Sequence, residues 1–326
     1  MKKILCMCLA FIFLLTSFSG CSIIQFANES HNDTHKDTES EFDTQLQTLC
    51  DESNSEPENE LQESPAEDFE YEINDAGYVL ITKYIGSSKN IIIPSKIEGR
   101  EVVSLKGFQN TNIESIVISD TIRTINVGAF KSCTELTTVT ISPNSQLITI
   151  KSGAFEDCSA LKSVSIDNAV NLKTIEMNAF RNCISIEKIK FPSNLERIGK
   201  EAFSNCLALK SINVPTKVEL MNPDGARFYN VPALEEIVFD EGWQNIRGYV
   251  FFSITSNVNI TIPKGVKSIS APLFYNSGAV DIYFLGDCPQ LMDSDKFAGN
   301  VTIYYNPATD GWDMTPLSEF HIMIPS

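Results

Sequence analysis

The chain has 326 residues, 43% of them apolar, and carries 25 basic against 42 acidic side chains, a net charge of −17. That length fits two or three ordinary domains or one long repeat array, with enough apolar residues for a core. The negative charge disfavours non-specific binding to nucleic acid or to an anionic membrane surface, so nucleic acid is not an expected partner.

The first predicted element is a leader over residues 1–20. It has a basic start (Lys2, Lys3), an apolar run over residues 4–15, and a stretch of small residues ending at Cys21. This pattern reads as an export signal, and the apolar run is short for a membrane span. Ser19, Gly20 and Cys21 resemble a bacterial lipobox, with Phe18 standing where leucine is usual. The resemblance implies that Cys21 receives a diacylglycerol thioether and becomes the first mature residue, on the outer face of the cell membrane. Two acyl chains anchor stably where one is marginal. Ordinary cleavage after Ser19, releasing a secreted protein, is the alternative.

Residues 21–68 read as the lipidated cysteine and an acidic linker. Between Ser22 and Asp68 there are fourteen acidic residues and one lysine, Lys36, so −13 of the −17 sits there. Such a segment has too few large apolar residues to offset the entropy of ordering it. As a flexible chain it spans about 38 Å root-mean-square. His31 and His35 lie four apart, a weak metal signal on a linker. No metal or other cofactor is expected.

Residues 69–107 are predicted to be a β cap. The segment Phe69–Tyr84 alternates apolar and polar residues around Asn74-Asp75-Ala76-Gly77, the pattern of a hairpin.

From residue 108 to 300 one phrase recurs. Its phenylalanines fall at 108, 130, 155, 180, 203, 228, 251, 274 and 297, at intervals of 22–25 residues. A period in the twenties with small variation belongs to a solenoid of short coils. After Phe155 come Cys158, Leu161, Val164, Ile166, Leu172 and Ile175. The Val164/Ile166 spacing is that of a strand with one face buried, Phe155 to Cys158 suits one helical or 3₁₀ turn, and Leu172 and Ile175 mark a return leg. A single such coil cannot repay the entropy of fixing its backbone, so coils must stack and share their flanks. Residues 301–326 are predicted to cover the far end, with Trp312 and the strand around His321.

The recurring A-F-x-x-C-x-x-L-x-x-[VI]-x-[IVF], followed by L-x-x-I, resembles the BspA-like leucine-rich repeat of bacteria across about residues 70–326. The resemblance implies an α/β leucine-rich-repeat solenoid, β-rich, with a parallel sheet and short helical or 3₁₀ turns. It also implies a bacterial surface protein that binds or adheres to a protein or glycan on host or neighbouring cells. A structural envelope module without a dedicated ligand is the alternative, and a secreted carbohydrate-binding or hydrolytic protein a further one. Cysteine gives way to Val231, Ile254 and Ser277 in later coils, which are expected to be less regular.

Cys133, Cys158, Cys183 and Cys206 occupy equivalent positions. Successive coils place such residues in a row about 4.8 Å apart, whereas zinc needs sulfurs converging on one point. They read as small buried hydrophobes. Cys50 and Cys288 have no evident role. The chain contains no H-E-x-x-H, G-x-S-x-G, phosphate loop or dinucleotide fingerprint, and no enzyme is expected.

Two surfaces are candidate binding sites. Strand residues flanking the inward Val and Ile form an outward strip from Thr138/Thr140 to Asn259/Thr261, with a charged notch at Lys188 and Lys190. The residue after each marker Phe is polar or small in five coils, then aromatic at Tyr229, Phe252 and Tyr275. Stacked coils would set these three rings in a row able to grip a partner.

Overall fold

Val and Ile alternate with polar residues wherever a coil begins, and in the computed structural model each such run is a strand of a parallel ladder. The structure describes residues 62–219, 228–247, 257–270, 279–291, 301–312 and 321–323, all within one unit, Asn59–Ser326. The ladder, here the front sheet, starts with Asn90–Ile92, Ser115–Ile118, Thr138–Ile141 and Ser163–Val164. It resumes with Lys188–Ile189, Ser211–Val214, Glu236–Phe239, Val258–Ile262, Val280–Phe284, Val301–Tyr305 and His321–Met323. Register is one coil per rung: Ile116 pairs with Val139 and Val139 with Val164, and Ile212, Ile237, Ile260, Ile282 and Ile303 follow in line. All of these point inward and are buried. β-branched side chains suit this pleated, one-side-buried surface.

The return legs form a second, back sheet. Thr124–Ile125, Thr149–Ile150, Thr174–Ile175 and Arg197–Ile198 are two-residue strands paired in parallel, each with its Ile buried. Asn245–Ile246, Ser268–Ile269 and Gln290–Leu291 form a three-stranded group of the same kind. Helix is almost absent among the described residues. Two 3₁₀ segments occur, Ala66–Asp68 and Ile166–Asn168.

Between the sheets the marker rings stack. Phe130, Phe155, Phe180, Phe203 and Phe228 follow one another at centroid distances of 5.1, 5.1, 5.2 and 5.4 Å, with planes within 12° of parallel. The expected row of superposed rings is therefore present over these coils. Phe251, Phe274 and Phe297 lie outside the described residues.

The three-residue step from Phe to Cys is realised as successive i→i+3 turns. Cys158 N–H donates to Phe155 O at 3.2 Å, and Glu156 N–H to Gly153 O at 3.1 Å. Two left-handed residues make the chain turn so tightly, one two positions before Phe and one two positions after. They are Gly128 and Ser132, Gly153 and Asp157, Asn178 and Asn182, and Glu201 and Asn205, with φ between 54° and 64°. Gly, Asn and Asp enter this region most readily, which explains why they dominate both positions.

The front ladder is interrupted between Ser163–Val164 and Lys188–Ile189. There the backbone curls into the 3₁₀ segment Ile166–Asn168 instead of continuing as strand. Side chains take over: Ile141 N–H donates to Ser165 Oγ at 2.7 Å, and Asn168 Nδ2 donates to Ile141 O at 2.9 Å. Buried backbone polar groups are thus kept paired.

At the N-terminal end Phe69–Ile73 and Val79–Tyr84 form an antiparallel hairpin that leads the back sheet. Asn74 Oδ1 accepts from Ala76 N–H and Tyr78 N–H, and Gly77 takes the left-handed conformation the turn requires. Gly107 is also left-handed, and a Cβ there would lie 1.9 Å from Thr82 O, so only glycine allows this close approach. At the other end Trp312 is buried, stacks on Tyr305 at 4.4 Å and meets the edge of Phe284 at 5.2 Å.

Candidate functional site

Each turn presents an outward edge, because Phe and Cys point in while most residues between and after them point out, with Ser204 a buried exception. The position two after Phe carries Asp157, Asn182, Asn205 and Asn230 in successive coils. Their side chains form a ladder: Asn182 Nδ2 donates to Asp157 Oδ1 at 2.7 Å, Asn205 Nδ2 to Asn182 Oδ1 at 2.7 Å, and Asn230 Nδ2 to Asn205 Oδ1 at 2.8 Å. The position one after Phe pairs Lys131 with Glu156 at 2.7 Å; Arg181 reaches Glu201 at 3.4 Å. Later in that row Tyr229 is 54% exposed. Ile184 and Leu207, one past their cysteines, are each 41% exposed.

The front sheet supplies a second surface. One outward row runs Thr138, Ser163, then Lys188, Ser211, Glu236, Asn259, Asp281 and Thr302. The next runs Asn213, Val238, Thr261, Tyr283 and Tyr304. Lys188 and Lys190 are both exposed, and Lys190 Nζ lies 3.9 Å from Asp167 Oδ2. Tyr283 and Tyr304 stack at 4.6 Å with planes 8° apart, half-exposed. Burial, then Tyr304 and Asp281, push the Tyr283 phenol above its ordinary range. Cross-strand aromatic pairs of this kind hold each other rigid.

The four repeat cysteines are buried and unpaired with one another. Each thiol donates to the carbonyl of a Phe in the preceding coil: Cys133 to Phe108 O at 2.9 Å, Cys158 to Phe130 O at 3.0 Å, Cys183 to Phe155 O at 3.1 Å, Cys206 to Phe180 O at 3.3 Å. In these four coils the position thus holds a small buried group that also gives a hydrogen bond, whereas the equivalent Val231 is buried as a hydrophobe alone. Among the described residues no three His, Cys, Asp or Glu side chains cluster as a metal site. An open cleft of about 380 Å³ is lined by Tyr84, Ser88, Lys89, Asn110 and Thr111. Its cation and its phenol are engaged by neighbours: Lys89 pairs with Glu114 and Glu135, and Tyr84 donates to Ser88 O.

The proposed residues thus fall on different surfaces. Lys188 and Lys190 share the front sheet face, and Tyr229 stands on the turn edge. Phe252, Tyr275 and Cys21 lie outside the described residues, so the expected aromatic row is represented by Tyr229 alone. Sequence reasoning missed Tyr283 and Tyr304, although the same alternation continues through "VDIYF" and "VTIYY". It also missed the amide ladder, whose signal is Asn, Asp or Ser two residues after every marker Phe from 108 to 228.

The profile of BspA-type leucine-rich repeat regions matches residues 101–225 and 224–303, in six copies. Similar solved structures include a leucine-rich repeat protein from Bacteroides ovatus, 21% identical over 75% of this chain and 71% of that one, with TM-score 0.48. A leucine-rich cell surface protein from Faecalibacterium prausnitzii is 22% identical over 71% and 76% of the two chains, with TM-score 0.45. The T. pallidum leucine-rich repeat protein is 22% identical over 71% and 92%, with TM-score 0.42. No curated protein matches the chain.

Proposed function

The chain belongs to the BspA-type leucine-rich repeat family, and on that premise we propose that it is an exported, lipid-anchored protein that displays its solenoid at the cell surface to bind a protein partner. Repeat solenoids characteristically bind through extended faces, and the fold is typical of binding proteins rather than enzymes. The observation that carries the reading is the stacked, half-exposed Tyr283–Tyr304 pair on the front sheet. The two rings cover each other's faces and offer rigid edges and hydroxyls, in a surface that also bears Glu236 and Asp281 and, further along, Lys188 and Lys190. Aromatic residues at the centre with a polar rim are the arrangement of a protein-contact surface.

Support for display at the membrane comes from the leader, Cys21 and the acidic linker. Mass measurement of the mature protein is expected to give an N-terminus at Cys21 carrying a diacylglycerol thioether, and Cys21→Ser to release the protein into the medium. An unmodified N-terminus at Gly20 or Cys21 removes the anchor from the proposal.

The binding claim is tested by screening the purified full chain against a panel of extracellular matrix and bacterial surface proteins. Any partner found is expected to lose about tenfold or more in affinity to the double variant Tyr283→Ser/Tyr304→Ser, the usual scale for a central aromatic anchor. Unchanged binding in that variant overturns the assignment of the sheet face. Absence of any partner favours the envelope-module alternative.

A further inference from the structure

We propose that the turn edge of the coils marked by Phe180, Phe203 and Phe228 is a second binding site, separate from the sheet face, and that it takes a neutral, extended β-linked glycan. The core of the site is the amide ladder. Asn182, Asn205 and Asn230 all donate in the same direction, towards Asp157 at its head. Each link spends one of the two N–H groups of an amide and one of the two lone pairs of its acceptor, leaving capacity on every rung that the described residues do not take up. That capacity is accessible, since Asn182 and Asn205 are half-buried and Asn230 is exposed.

Hydrophobic side chains adjoin the ladder, Ile184 and Leu207 along one side and Tyr229 at its far end. Tyr229, 54% exposed, adjoins Asn230, while Ile184 and Leu207, each 41% exposed, follow Asn182 and Asn205. Among the described residues the amide rungs and their apolar neighbours carry no charge except Asp157 at the head, and Arg181, beside the first rung, is paired with Glu201 at 3.4 Å. A strip of amides edged by an aromatic ring and aliphatic side chains matches a ligand with hydroxyl edges and apolar ring faces and no charge. Burying apolar ring faces on such side chains is favourable, and the amides fix orientation.

Period decides between polymers. Successive coils lie about one strand separation apart, about 4.8 Å, and ring centroids along the Phe column at residues 155–228 are 5.1–5.4 Å apart. That is close to the advance of one sugar in an extended β-1,4-linked chain, so one sugar can meet each rung. A bound peptide strand advances about 3.3 Å per residue and falls out of step. An α-1,4-linked glucan coils away from a straight row.

The experiment is calorimetric titration of the purified full chain with cellohexaose and chitohexaose, with α-1,4-linked maltohexaose as control. At least one β-linked hexasaccharide is expected to bind, and maltohexaose at least about tenfold more weakly. Tyr229→Ala, an exposed site that leaves the fold untouched, is expected to weaken the interaction by about tenfold. Asn205→Gly keeps the left-handed backbone, removes the amide, and is expected to weaken it several-fold. Tyr283→Ser/Tyr304→Ser is expected to leave it unchanged, which separates this site from the sheet face and lets either stand if the other fails. No binding of either β-linked hexasaccharide, equal binding of maltohexaose, or full binding by Tyr229→Ala overturns the proposal.

Discussion

Phe155→Ala is expected to destabilise the solenoid by about 3–5 kcal/mol, the range for deleting a fully buried aromatic ring. The ring is 0% exposed and lies between Phe130 and Phe180, 5.1 Å from each and nearly parallel to both. Removing it takes away two ring contacts and opens a gap in the column. Neighbouring coils cannot close it, because their spacing is fixed by backbone bonds on either side of the gap. Phe155 N–H donates to Ala179 O at 2.8 Å, and Phe130 N–H to Ala154 O at 2.7 Å. In a stack where each coil rests on its neighbours, a defect in the middle also weakens the coupling between the two halves. Urea unfolding followed by circular dichroism should therefore show an earlier midpoint and a broader or split transition. A cost under about 1 kcal/mol would mean that the column is not the structural spine.

Much of this architecture was legible because one period governs everything. The 22–25-residue spacing of the marker Phe, with Cys, Leu and two alternating aliphatics in fixed register behind it, leaves stacking as the arrangement that buries all of them together. Features that depend on where one coil meets the next were harder to read. The thiol of Cys158 has an acceptor only once Phe130 O is placed against it. The break after Val164 arises where "SIDNAVN" curls into a 3₁₀ turn and Ser165 and Asn168 substitute for the ladder; the pattern of apolar residues alone continues through it unchanged. The candidate surfaces were partly visible. Tyr229 was reached by register, and Tyr283 and Tyr304 were equally reachable, since Val280, Ile282 and Phe284 keep the inward alternation that turns Tyr283 out. What periodicity could not convey is that Asn182, Asn205 and Asn230 bond to one another, which requires the left-handed φ near 60° that aims all three side chains along the stack.

The buried thiols should also make the protein sensitive to alkali. Burial, followed by the charge of Cys206, pushes the Cys183 thiol well above its ordinary range, and burial pushes Cys206 up to about 12. In the unfolded chain both lose their protons near pH 8.5. The folded state thus holds protons that the unfolded state has released, so their contribution is fully present below about pH 8.5 and is lost as pH rises towards the folded values. Each thiol accounts for about 1.4 kcal/mol per pH unit in that window, and the two together for about 3 kcal/mol per unit. The urea midpoint is accordingly expected to fall steeply above pH 9. Burial raises the Tyr84 and Tyr283 phenols as well and adds to the fall, so the comparison that isolates the thiols is with Cys183→Ser/Cys206→Ser. Serine can still donate to Phe155 O and Phe180 O but does not ionise in this range. The variant starts somewhat less stable, because a hydroxyl is costlier to bury than a thiol, yet its stability should decline more gently by about 3 kcal/mol per unit. Parallel declines in the two proteins would mean that the thiolates form without unfolding, and so that solvent reaches a column the packing closes off.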